Sequence, residues 1–124
     1  MYSFGKRSLE RREQLHPVLQ KILDRAIETS PLDFTILCAY RNSEEQQIAY
    51  GKGFSNKQFP NSKHNHLPST AVDIAPYPIV WEDIKQFQIL GCHIMMTAYY
   101  MGESLRWGGF WCKPKDYPHF ELRR

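Results

Sequence analysis

Cysteine is scarce in this 124-residue chain, and what there is does not pair. Cys38, Cys92 and Cys112 are odd in number, far apart and never in a Cys-x-x-Cys arrangement. That argues against a disulfide framework and against an all-thiolate zinc site. They read as free thiols of a protein made in a reducing compartment. Long apolar runs are absent as well. No stretch reaches membrane-spanning length, and Met1 to Ser8 has no apolar segment of the kind a secretory signal needs. A target beyond the cytoplasm would therefore require another factor for delivery. Repeats, low-complexity tracts and linkers are missing, so no second domain is expected. Charge is modest: the net value is +3, with small basic clusters only at Lys6–Arg7, Arg11–Arg12 and Arg123–Arg124. Without a basic stripe this is too little to argue for nucleic acid. What remains is 42% hydrophobic and 14% aromatic, enough for one compact domain with a single core.

Periodicity orders that material. Ser8 is a candidate cap for a first turn from Leu9 to Leu15, and Pro17 suits the first position of a helix reaching about Thr29. Val18, Leu19, Ile22, Leu23, Ala26 and Ile27 form its apolar stripe. Phe34 to Tyr40 reads as a buried strand. Ser43-Glu44-Glu45-Gln46 resembles a capping box for a short helix ending near Gly51 or Gly53. From Phe54 to Thr70 the chain is polar and aperiodic, and a loop of that length in a small domain is more often functional than idle. Ala71 to Ala75 is a short strand. Trp81 leads into a helix from about Glu82 to Met101, with Ile84, Phe87, Ile94 and Ala98 on its core face. Leu105 to Trp107 and Pro118 to Leu122 are the last strands, separated by a short basic turn that includes Lys113 and Lys115. The expected fold is α+β, a small, mainly antiparallel sheet flanked by helices.

Asp73 is the most telling residue. It falls mid-strand between Val72 and Ile74, with Ala71 and Ala75 on its own face. A carboxylate there must be paired, hydrogen-bonded or bound to metal. His119 holds a similar position beside Phe120 and Leu122, and the polar loop contributes His64 and His66. Two imidazoles and one carboxylate are a standard ligand set for a catalytic zinc ion with an open fourth position. Asp116, three residues before His119, is a candidate general base. Arg41, ending the first strand, could hold a substrate carboxylate or polarise a carbonyl, or make only a structural ion pair.

Taken in order, these segments resemble the zinc D-Ala-D-Ala carboxypeptidase and L-alanyl-D-glutamate endopeptidase family, which includes vancomycin-resistance dipeptidases and many phage endolysins. The likeness spans nearly the whole chain. It runs through Phe4 to Arg11, His16-Pro17, Ser30 to Thr35, Tyr40-Arg41 with Gln46, Ser62-x-His64 leading to Ala71-Val72-Asp73, and Asp116-x-x-His119-Phe120-Glu121-Leu122. The resemblance implies a hedgehog/DD-peptidase-like fold and one Zn2+ held by His64, Asp73 and His119. It implies Asp116 as general base, Arg41 for substrate or oxyanion, and Gln46, Ser62 and Trp107 on the substrate side. The family spacing of seven residues before the aspartate selects His66, whereas the Ser-x-His context selects His64 with a two-residue enlargement around Leu67-Pro68. The expectation is His64, with His66 as the alternative.

The implied activity is hydrolysis of peptidoglycan stem peptides by an L-alanyl-D-glutamate endopeptidase endolysin of a phage or prophage. The expected protein is a monomer without a signal peptide or a separate wall-binding domain. It would wait in the host cytoplasm and reach the periplasm and wall through a holin-type partner. No membrane insertion and no nucleic acid are expected. The alternatives are a D,D-carboxypeptidase or dipeptidase on the same fold, and a non-catalytic zinc-stabilised wall-binding or virion protein.

Overall fold

The computed structural model describes residues 1–112 and 115–123. Lys113 and Pro114 of the basic turn, and Arg124 of the last basic pair, lie outside them. Among the described residues the order is α1 (Lys6–Arg12), α2 (Pro17–Thr29), β1 (Phe34–Cys38), α3 (Ser43–Gly51), β2 (Ala71–Pro76), α4 (Ile84–Tyr100), β3 (Leu105–Trp107) and β4 (His119–Leu122). Single 3-10 turns occur at Lys63–Asn65 and Gly108–Phe110. The strands form one antiparallel sheet in the order β1-β2-β4-β3, so the α+β architecture is as expected.

Two helix starts differ from expectation, and tertiary contacts explain both. Helix α1 begins at Lys6, placing Ser8 inside it. The Ser8 hydroxyl is buried against β1, 2.9 Å from Thr35 Oγ1, and accepts from Ile36 N at 3.0 Å. Those partners replace the local cap. The box at α3 falls one residue earlier than expected. Asn42 accepts from Glu45 N at 2.8 Å and Glu45 accepts from Asn42 N at 3.0 Å, while Gln46 turns inward. Helix α2 starts at Pro17 as expected, with His16 Nδ1 accepting from Val18 N.

Alternation divides the sheet into two faces. Ile36, Val72, Ile74, Phe120 and Leu122 are fully buried on one. There they meet Leu19, Ile22, Leu23 and Ala26 of α2, and Leu90, Ile94 and Ala98 of α4. Ile84 is exposed at the start of α4, and Leu90 and Gly91 lie in its packed face instead. Trp107 is also in this core, its ring parallel to Phe120 with centroids 6.0 Å apart. The other face carries Asp73, His119 and Glu121.

A Cβ at Gly91 would stand 2.0 Å from the Trp107 ring. Gly91→Ala gains helix propensity, about 1 kcal/mol, but overpacks the core at a typical cost of 1–3 kcal/mol. Chemical denaturation should show a net loss of up to about 2 kcal/mol. A gain would mean that the ring is not held there.

Candidate active site

Register builds the centre. Antiparallel pairing sets His119 opposite Asp73, and a β-bulge between Ile36 and Cys38 brings Cys38 opposite Asp73 from the other neighbour. His64 arrives from the long loop. Ser62 Oγ accepts from His64 N at 3.2 Å, and Asn65 Oδ1 accepts from Ser62 N at 3.0 Å, shaping the 3-10 turn that carries it. His64 is buried and faces Asp73, whereas His66 closes the turn and is exposed.

The tautomer of His64 follows from its partners. A carbonyl only accepts, so His64 Nδ1, 2.7 Å from Ala39 O, carries the proton. Its Nε2 lies 3.3 Å from Asp73 Oδ1 and, among the described residues, is the one buried side-chain atom without a hydrogen-bond partner. His119 Nε2 lies 2.8 Å from Glu121 Oε1, and His119 Nδ1 stands 3.1 Å from the same Asp73 Oδ1. With both rings neutral, the His64 Nε2 lone pair faces Asp73 Oδ1, while His119, set between two carboxylates, can give its one proton to Asp73 Oδ1 or to Glu121 Oε1 and leaves a lone pair against the other. Such an arrangement favours positive charge at the two rings.

Protons are one source of that charge. Burial opposes ionisation of His64, but the Asp73 carboxylate outweighs it and the ring is pushed up to about 10. Burial likewise opposes charge on His119, and Asp73 and Glu121 together push it up to about 9. Burial alone would raise Asp73, yet the two rings hold its carboxyl well below the usual range. Asp116 moves the opposite way. Burial and then the Asp73 charge raise it, partly offset by His119, His64 and Arg41.

A metal ion would be the other source. Ligands on a single tetrahedral zinc stand roughly 3.3 Å apart, close to the 3.1 and 3.3 Å separations from Asp73 Oδ1. Each ring is also braced on its far nitrogen, as metal-binding imidazoles are. Among the described residues, the group whose donor atoms all lie within 4.8 Å of one another is Cys38, His64 and Asp73, with His119 outside it and Cys38 in its place. Its Sγ, however, lies 3.8 Å from His64 Nδ1, on the side of the ring already committed to Ala39.

The other predicted residues are placed as follows. Arg41 is half-buried, with Nη2 3.4 Å from Asp73 Oδ2 and Nη1 donating to Gln46 Oε1 at 2.9 Å. Asp116 is held through its backbone: its N–H donates to Gly108 O and its carbonyl accepts from His119 N. A Cβ on Gly108 would stand 2.1 Å from the Asp116 carbonyl oxygen. Ser62 and Gln46 are buried, Ser62 shaping the turn that carries His64. The Trp107 ring lies in the core, its Nε1 donating to Tyr117 O at 2.8 Å, so it supports the 116–119 segment from behind. Three residues near the centre were missed. Glu121 braces His119, Cys38 flanks His64, and Trp111 tilts against the His119 ring at 5.3 Å. Glu121 was the most findable, two residues from His119 on the same strand face.

An antiparallel sheet presenting a His–Asp–His cluster with an elevated carboxyl beside it is the layout of a small hydrolase domain. The chain belongs to the phage L-alanyl-D-glutamate peptidase family, whose profile matches residues 1–123. It is 35% identical over 128 residues to the L-alanyl-D-glutamate peptidase of Escherichia phage T5, covering 99% of this chain and 90% of that one. The crystal structure of the Serratia marcescens L-Ala D-Glu endopeptidase ChiX aligns with a TM-score of 0.82 at 27% identity. That match covers 97% of this chain and 90% of that one.

The raised histidines set a sign for stability against pH in chelator-treated protein. Their contribution is complete below about 6.5, the ordinary histidine value, and is lost as pH rises through about 9 to 10. Asp73 contributes oppositely, its share being lost as acid reprotonates it. Melting temperature should therefore fall from neutral to alkaline pH. An alkaline rise would contradict the pairing.

Proposed function

We propose that this chain is a zinc-dependent L-alanyl-D-glutamate endopeptidase that cleaves peptidoglycan stem peptides as a phage-type endolysin. Peptidoglycan hydrolysis follows from its family and from both relatives. The zinc reading rests chiefly on one observation, the buried and unpartnered His64 Nε2 facing Asp73 Oδ1. His64, Asp73 and His119 would hold the ion. Bound there, zinc would supply Lewis-acid chemistry, polarising the scissile carbonyl and acidifying a water.

The chain's own groups then divide the work. Asp116, whose carboxyl is raised by burial and by Asp73, takes the proton from water as its oxygen adds to the peptide carbonyl carbon. The same carboxyl returns a proton to the amine nitrogen as the C–N bond breaks. Arg41 presents its guanidinium to the developing oxyanion or to a substrate carboxylate. The Ala39 carbonyl keeps the His64 proton on Nδ1, and Glu121 would accept from His119 Nε2 with the ion held on the other side of the ring. Ser62 acts through the turn that carries His64, and Trp107 through the 116–119 segment.

The proposal extends to a single-domain monomer kept in the host cytoplasm until a holin-type partner opens the way to the wall. Among the described residues no helix is long and apolar enough to cross a membrane.

Incubating the zinc-loaded protein with purified peptidoglycan and reading new termini by mass spectrometry tests the assignment. New D-glutamate amino termini are expected. Free D-alanine as the sole product would make it a carboxypeptidase, and no product would leave only wall binding. Asp116→Asn should keep its zinc and lose roughly 10²- to 10⁴-fold in kcat. Undiminished turnover would remove Asp116 from the chemistry.

A further inference from the structure

Gln46 is completely buried, and every hydrogen-bonding position of its amide is in use. Oε1 accepts from Arg41 Nη1 at 2.9 Å and from Asn65 Nδ2 at 3.1 Å. Nε2 donates to Ser55 Oγ at 2.9 Å and to Lys57 O at 2.7 Å. A primary amide offers two donors and two acceptor positions, so nothing is left for a substrate. The partners come from three segments: Arg41 after β1, Asn65 in the turn that carries His64, and the exposed stretch following α3.

Two features mark this as more than a buried polar group finding partners. The Arg41 contact to Asp73 is long at 3.4 Å, so the 2.9 Å bond to Gln46 is the short contact that sets where the guanidinium stands. An amide carbonyl also orients the guanidinium without neutralising it, and leaves its charge for an oxyanion. A glutamate in the same place would cancel that charge. It would also turn a second acceptor toward the Lys57 carbonyl.

We propose that Gln46 is a positioning residue that fixes Arg41 for the transition state and ties the Ser55–Lys57 stretch to the same unit. The inference rests on the role given to Arg41 above. Displacing an oriented group by about 1 Å can cost on the order of 100-fold in rate. Gln46→Met, which removes all four bonds, and the isosteric Gln46→Glu should each lower kcat roughly 10- to 100-fold on peptidoglycan at saturating zinc.

A double-mutant cycle with Arg41→Ala separates positioning from general support. Zinc content and melting temperature are measured on every variant. If Gln46 acts through Arg41, adding Gln46→Glu to Arg41→Ala should lower kcat by less than about twofold more. The same 10- to 100-fold loss in both backgrounds would overturn the inference and leave the role of Arg41 standing. Undiminished kcat in Arg41→Ala alone would refute that role, and the inference with it. Loss of fold or of zinc binding in both Gln46 variants would make the residue a stability element and overturn it as well.

Discussion

Everything at this centre depends on one carboxylate oxygen, Asp73 Oδ1. Two imidazole nitrogens approach it at 3.1 and 3.3 Å, and the outer nitrogen of each ring is committed to an acceptor, Glu121 or the Ala39 carbonyl. A neutral His64 would place its Nε2 lone pair against that oxygen, and a neutral His119 would leave one against Asp73 or Glu121, so the arrangement favours positive charge among the three atoms. Protons and a metal ion compete for that position, because imidazole binds metal only when deprotonated. Burial raises the Asp116 carboxyl, and the same Asp73 charge adds to it. A single half-buried anion thus lies at the centre of the proposed ligands and acts on the proposed base.

The hydrophobic core is what keeps this geometry. Val72, Ile74, Phe120 and Leu122 lock the register of β2 and β4 from the far side of the sheet. A slip of one residue would send Asp73 and His119 into the core and the apolar residues into the site. Trp107 extends the same logic. Its ring packs against Phe120 and Gly91 in the core, and its Nε1 holds the Tyr117 carbonyl between Asp116 and His119.

What could be read from the sequence follows from the range of the forces involved. The shared sheet face of Asp73 and His119 was legible because strand alternation is local: Asp73 sits between Val72 and Ile74, and His119 alternates with Phe120 and Leu122. Helix α2 was legible for the same reason, through its stripe and Pro17. The choice of His64 over His66 depends on a turn capped by Ser62, and family spacing and local context pointed different ways. Ser8 was expected as a cap and lies inside α1, because Thr35 and Ile36, far along the chain, offered better partners. Gln46 and Trp107 were expected on the substrate side. Only the tertiary fold shows the first with its amide fully engaged and the second in the core.

The most direct test of the account is X-ray absorption at the zinc edge of the loaded protein. It should report nitrogen and oxygen scatterers at about 2.0–2.2 Å, with imidazole outer shells and no sulfur. A sulfur scatterer near 2.3 Å would put Cys38 on the metal and contradict a centre built from His64, Asp73 and His119.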